Sequence, residues 1–439
     1  TATTDRPALL RVMGRWDLTA TGVNQVIGGA IFAVPAILAA AVGAWSPWLT
    51  IVVGFTSLLI AASIAEVASR FEGTGGPYLY TRAAFGRFAA FEVGWLSWVT
   101  RVASWASILQ VFIATLGFYW PWATSGLPRA VLMIAVVGLI TAINYRGIRQ
   151  SSLAVNLFTV GKLTPLLIFI VVGVWFVDPV RVVPAGVPEF AALSSTALTL
   201  VFAFGGYENI PIPAGEARDP RRNMPFALIL TLVIVTVVFA LVQIVALGTL
   251  PTLAASSTPL ADSAAVFLGA GGAALMTAAA LISVAGNNLG GALAGSRILF
   301  ALAEQGDVPA LFSRIHPRFR TPGPAVLTTS AVTLTLGLTG TFAVLAQVSA
   351  ISRLIVYVAT CSATLRLRDP RFKTVVPAAA FVTPMGAVVP VAAMLCALAI
   401  LAGATRLNLL AAGAGLAVGA VIYGVFAREA HLQVTLEQK

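Results

Sequence analysis

The stretch from Asn24 to Val42 reads NQVIGGAIFAVPAILAAAV, an apolar run interrupted at its centre by Gly28-Gly29 and again by Pro35. A second stretch, Leu198 to Pro211, reads LTLVFAFGGYENIP and carries the same device, with Gly205-Gly206 followed by Pro211. Each glycine inside a helix costs about 1 kcal/mol relative to alanine, and a doubled glycine frees backbone N–H and C=O groups. In hydrocarbon those groups must face protein, water or a ligand. Paired Gly/Pro-broken spans in corresponding places are the sequence pointer to a binding site at the membrane midplane. Close helix packing through small residues explains the same glycines, and from the residues alone the two readings stand level.

The rest of the chain supports a membrane setting. It has 439 residues, 59% hydrophobic and 10% charged, where soluble domains carry about 25% charged residues. Apolar runs of roughly 18 to 25 residues recur, each long enough to cross a hydrocarbon core of about 30 Å as a helix. A barrel would show alternating segments of about ten residues instead. Twelve spans are expected. The first five lie at roughly 18–42, 47–69, 85–118, 129–145 and 152–177, and the second five at 192–214, 225–249, 271–300, 323–341 and 343–366. A last pair follows at 375–401 and 405–427. The polar, basic segment Thr1 to Arg15 has no apolar core or small-residue cleavage site, so no secretory signal peptide is expected there.

The formal charge of +11 raises the question of nucleic acid, which its distribution answers. Of the 27 Lys and Arg residues, only Arg129, Arg181 and Arg406 fall in loops on the side opposite the N terminus. Only Arg101, Lys162 and Arg353 fall inside spans, and the rest sit on the N-terminal side. Positive charge collects in cytoplasmic loops, which places both termini in the cytoplasm and requires an even number of spans. The basic balance is a topology signal, and no nucleic-acid partner is expected. Cys361 and Cys396 stand alone in apolar runs and read as small hydrophobes. With His316 and His431 near loop and tail, no metal site is expected.

A helix restarting after Gly28-Gly29 would present the N–H groups of Ala30, Ile31 and Phe32, which suit a carboxylate. The carbonyls of Phe202, Ala203 and Phe204, ending the first half of the sixth span, suit an ammonium. One site would then hold both ends of a zwitterion.

Four segments are similar to the amino acid–polyamine–organocation superfamily, and the likeness covers most of the chain. They are Val26–Phe32; Ala65–Phe71 continuing through Gly75-Gly76-Pro77-Tyr78-Leu79-Tyr80 to Phe85-Gly86; Phe202–Asn209 followed by Glu216–Pro225; and Ser296-Arg297 with Gly306, Pro309, Arg314, His316-Pro317 and Thr321-Pro322. The sequence looks like a bacterial permease related to the L-type amino acid transporters. The resemblance implies an all-α membrane protein of twelve transmembrane helices. It would comprise two inverted five-helix repeats (18–177 and 192–366), a C-terminal pair (375–427), and cytoplasmic ends at 1–17 and 428–439. It also implies alternating access around a substrate held between the broken first and sixth helices. By the matching positions, the backbone of Ile27, Gly28, Gly29, Ala30 and Ile31 binds the carboxylate. That of Phe202, Ala203, Phe204 and Gly205 binds the amine, with the ring of Phe202 or Phe204 as a lid.

Lys162 lies inside the fifth span, where a lysine costs roughly 2.5–3.5 kcal/mol on insertion scales. Snorkelling to the near interface is one reading. In sodium-independent members of the similar family a fifth-helix lysine stands where others bind sodium, which makes Lys162 a fixed or a titrating cation. Arg101, between Trp98 and Trp105, needs an acid, and Glu208, Glu66 and Glu92 are available. The pair is either structural or part of the pocket and gate. Cation-selective relatives carry an acidic residue where Thr100 and Arg101 stand, which counts against cationic substrates. Arg353 reads equally as a pocket residue or a helix-end pair. Ser104 and Asn287 are candidate pocket side chains.

The expectation is an inner-membrane, sodium-independent transporter of neutral L-amino acids, proton-coupled or else an exchanger, with no cofactor. Substrate, protons and membrane lipid are its expected partners. The loop from Gly117 to Pro128 has no cysteine, so no disulfide-linked heavy chain is expected. A membrane-embedded enzyme is the remote alternative, since no carboxylate pair recurs and neither histidine lies in a span.

Overall fold

The computed structural model describes residues 9–117, 120–374, 376–402, 404 and 406–437. The first eight residues and the side chains from 427 on, His431 and the expected C-terminal tail among them, lie outside the described residues.

The first broken span forms two helices, α1 (Arg15–Val26) and α2 (Ala30–Val42). Next come α3 (Ser46–Ala68), α4 (Pro77–Phe85), α5 (Arg87–Gly117), α6 (Gly126–Arg146), α7 (Ile148–Gly173) and a single turn, α8 (Pro179–Val182). The second half of the chain holds α9 (Phe190–Phe204), α10 (Pro220–Thr249), α11 (Pro259–Glu304), α12 (Gly323–Thr339) and α13 (Phe342–Arg366). The chain ends with α14 (Val388–Ala402) and α15 (Arg406–Glu437). Among the described residues no strand occurs, only an isolated bridge between Met13 and Ala217. Among the described residues nine segments are long and apolar enough to cross a membrane, and α12 and α14 are shorter apolar helices. One of the nine, Ala30–Ala68, holds both α2 and α3, so each of the twelve expected spans has its helix.

The differences are local and have visible causes. The sixth span is helical only to Phe204; beyond it the chain makes isolated tight turns at Tyr207–Asn209 and Ala214–Glu216, because Pro211 and Pro213 deny helical donors. The eleventh begins at Val388 rather than near 375, since Pro377, Pro384 and positive φ at Met385 and Gly386 block a helix before it. The eighth runs longer than expected, with a kink at Gly269 (φ 63°).

Packing follows the broken helices inward. α3 lies on α10, α5 lies between α11 and α13, and α1 contacts α7, α10 and α11. Large apolar side chains face outward in quantity, among them Leu139, Leu157, Val171 and Trp175. A water-soluble protein would not leave so broad a surface exposed; a bilayer supplies its cover.

Candidate functional site

At the first break the helix ends at Val26, and Phe32 donates to the Gly29 carbonyl at 3.1 Å to start α2. The N–H groups of Gly29, Ala30 and Ile31 precede the first helical carbonyl that could serve them. One of the three donors expected for a carboxylate, Phe32, is therefore already engaged, and Ala30 and Ile31 remain.

Lys162 stands behind this break with its side chain fully buried. Its Nζ donates to the carbonyls of Ile27 (2.7 Å), Asn24 (3.0 Å) and Ser283 (3.2 Å). The lysine does not snorkel. Its three N–H donors fill three backbone acceptors, and it ties the unwound end of α1 to α11. Amides complete the seam: Asn24 Nδ2 donates to the Gly286 carbonyl at 2.6 Å, and Gln25 Nε2 to that of Asn287 at 3.1 Å. Asn287 Nδ2 returns a bond to the Gln25 carbonyl at 2.6 Å, and Ser283 Oγ reaches the Ile27 and Gly28 carbonyls at 3.0 Å each.

At the second break Gly206 adopts φ 132°, in the left-handed half of backbone space that favours glycine. A Cβ there would also lie 2.6 Å from the Gln25 carbonyl oxygen, so the two breaks touch. Glu208, next in the unwound segment, is buried and fully engaged. Its Oε1 accepts from Arg353 Nε (2.8 Å) and Arg101 Nη2 (3.0 Å). Its Oε2 accepts from Tyr357 Oη (2.7 Å) and the Gly206 N–H (2.8 Å). Of the acids available to Arg101, Glu208 takes it. Glu66 instead binds Arg368, whose guanidinium holds its proton more firmly than usual, chiefly through that hydrogen bond.

Between the breaks lies a cavity of about 440 Å³. Gly28, Gly29, Ala30, Phe202, Ala203 and Gly205 line it from the two broken spans. Arg101, Ser104, Asn287 and Arg353 line it from α5, α11 and α13. Ile27, Ile31, Phe204, Lys162 and Glu208 stand behind the wall. Phe204 packs on Phe239 with ring centroids 5.2 Å apart, so of the two rings considered as a lid only Phe202 faces the cavity. The cavity follows α2 away from the N-terminal end to Ile37, which is 52% exposed.

The N-terminal end is sealed. Val12 and Met13 donate to the Glu216 carbonyl at 3.0 and 3.1 Å, and Arg218 donates to Met13 at 2.8 Å. Arg297 grips the Glu216 carboxylate with two bonds of 3.0 and 2.8 Å, both side chains fully buried. Asp307 accepts from Arg87 and Tyr78.

Sequence reasoning missed Asn24, Gln25, Ser283 and Tyr357. Two of them sat in plain spacing: Tyr357 follows Arg353 by one helical turn, as Asn287 follows Ser283, so each pair shares a helix face.

Two broken helices meeting at a mid-membrane cavity, open at one end and sealed at the other, make this a helical secondary transporter. Residues 13–426 match the family model described as amino acid permease. The branched-chain amino acid permease BcaP of Bacillus subtilis is 29% identical over 462 residues, covering 98% of this chain and 95% of that one. The transporter Rv1999c of Mycobacterium tuberculosis is 32% identical over 435 residues, covering 95% and 91%. The serine/threonine exchanger SteT of Bacillus subtilis is 29% identical over 361 residues, covering 79% and 81%. The chain belongs to the amino acid permease family, and amino acid transport is its function.

Proposed function

We propose that this permease works without sodium, by alternating access of a zwitterionic substrate held between the two breaks, with Lys162 supplying the cation behind the first. The observation that carries the reading is the set of three backbone carbonyls on the Lys162 ammonium, a coordination that a metal cation would otherwise fill. The free N–H groups at the head of α2 take the substrate carboxylate. The end carbonyls of α9 take its amine, and Phe202 covers it. Arg101 and Arg353 on the wall disfavour substrates with a cationic side chain. Ser104 and Asn287 contact the bound substrate, and Arg101 with Glu208 forms part of the gate.

The membrane is an inner membrane and both termini are cytoplasmic on this reading, which the basic loops support, and the cavity then faces outward in this conformation. The repeats run over 18–177 and 192–366, followed by the pair α14 and α15, and lipid surrounds the bundle. Uptake is driven by protons if Lys162 releases its proton at another stage of the cycle. Exchange is the second reading. It is favoured by the filled donor set of Lys162, which suits a cation held through the cycle, and by the likeness to the serine/threonine exchanger SteT.

Uptake of labelled amino acids into sodium-free proteoliposomes, empty or preloaded, with and without an inward proton gradient, tests this. Gradient-driven uptake into empty vesicles establishes proton symport, and uptake confined to preloaded vesicles establishes exchange. A requirement for sodium in either case defeats the proposal.

A further inference from the structure

The charges around the cavity do not balance. Among the described residues its wall carries two guanidinium groups, Arg101 and Arg353, and no carboxylate. The acid nearest to them, Glu208, sits behind the wall and accepts from both arginines through one oxygen. One negative charge therefore answers two positive ones. The side chains of Arg101 and Arg353 are 5% and 3% exposed, so bulk water does not screen the excess. Lys162, held by three backbone carbonyls, stands behind the same wall and brings no acid with it.

The surplus has a direction. Arg353 uses its Nε for Glu208, while its Nη1 is buried with no hydrogen-bond partner. That nitrogen lies against Gly205, close enough that a Cβ at this position would collide with it. Both Gly205 and Arg353 line the cavity, so the unpaired cationic donor lies within the wall of the substrate space, covered there by the Gly205 backbone. A buried donor left unmatched is costly, and more so when charged. A bound group that satisfies it recovers that cost.

We propose that the permease selects amino acids whose side chain carries a carboxylate, and that this carboxylate pairs with Arg353, supported by Arg101. The inference rests on the binding mode above and names its substrate class. A zwitterion's own charges are both consumed at the breaks, its carboxylate by the head of α2 and its amine by the end of α9. A neutral side chain leaves the arginines as they are. A second carboxylate brings the one charge that is missing, and the planar guanidinium offers paired donors that match it. Space is adequate, since a cavity of about 440 Å³ lies within the usual range for small ligands. Chloride has the same sign but lacks the paired acceptors and any link to the zwitterion site.

The test compares binding of L-glutamate with L-glutamine, and L-aspartate with L-asparagine, to the purified full chain in a buffer free of chloride and of carboxylate anions. The paired ligands differ by one charge and almost nothing in volume. A hydrogen bond to a charged group is worth about 1.5–3 kcal/mol, so each acid is expected to bind at least about tenfold tighter than its amide. In Arg353→Gln the acid-to-amide ratio is expected to collapse toward one. A ratio does not depend on the fraction of protein that folds. Amides binding as tightly as the acids overturn the proposal and leave amino acid transport standing. Stabilisation by chloride, without acid preference, reassigns the arginines to an inorganic anion and overturns it as well. If none of a panel of amino acids binds, the binding mode between the breaks falls together with the inference.

Discussion

Replacing Lys162 with methionine removes the cation while nearly keeping the length of the side chain. Its strongest bond, 2.7 Å to the Ile27 carbonyl, holds the last residue before Gly28 in place. Bonds from a charged donor are worth about 1.5–3 kcal/mol each, so losing this one releases the break by roughly one to two orders of magnitude. Binding needs the held conformation, and apparent affinity falls by the fraction that remains competent. Substrate affinity of Lys162→Met should therefore drop at least about tenfold.

Stability should move much less. Ser283 Oγ still serves the Ile27 carbonyl at 3.0 Å, and Asn287 Nδ2 lies 3.5 Å from that of Asn24. The variant also escapes the several kcal/mol of desolvation attached to a buried ammonium. These terms oppose each other, and a net change within about 2 kcal/mol is expected. Equilibrium substrate binding and thermal unfolding, measured on one detergent-solubilised preparation, separate the two effects. A folded variant that binds substrate as tightly as the parent would refute the role given to the ammonium.

Gly28→Val should abolish binding, because a Cβ at Gly28 lies 2.8 Å from Asn287 Nδ2 and the seam behind it is already filled; normal uptake by this variant would remove the site. Glu208→Gln should destabilise by about 3–5 kcal/mol, since Arg101 and Arg353 would then face each other buried without an acid, and thermal unfolding reads it directly. Glu216→Gln should loosen the sealed end by a similar amount, about 3–5 kcal/mol, since Arg297 is fully buried against it; hydrogen exchange at residues 9–18 should rise, and protection unchanged from the parent would count against the seal. Arg11→Ala should alter unfolding by less than about 1 kcal/mol, because its pair with Glu72 is half exposed on both sides.

Much of this architecture was legible because the bilayer enforces it. Apolar length fixes spans, and doubled glycines mark where a span breaks, so α1, α2 and α9 could be placed with their gap residues named. Charge inside a span is so unfavourable that Arg101, Lys162 and Glu208 stood out as sites by their presence alone. What stayed hidden is pairing across the fold. Glu208, Glu66 and Glu92 were equal partners for Arg101 until the turn after Gly206 aimed one of them. Arg353 was ambiguous for the same reason, since its meaning lies in a contact with Gly205 far away in sequence. The Asn24 and Gln25 amides looked like ordinary polar residues near a helix end, because their partners are backbone carbonyls, which sequence does not distinguish.

The two breaks are held by opposite strategies, and that difference bears on motion. The first is clamped from behind by Lys162 through backbone carbonyls, which are independent of neighbouring side chains. The second is clamped by Glu208 through two arginines and Tyr357, which come from α5 and α13. Tilting α1 away from α11 strains the seam of Lys162 and the amides, the bonds that tie α1 to α7 and α10, and the contact of Gly206 with Gln25. Moving α9 relative to α5 and α13 breaks a buried ionic network, a costly event unless something replaces a partner. A substrate carboxylate on Arg353 would be such a replacement, loosening the grip of Glu208 as it binds. On this arrangement the first break would be the easier to move and the second would move with its ligand, which is the behaviour that the exchange reading requires.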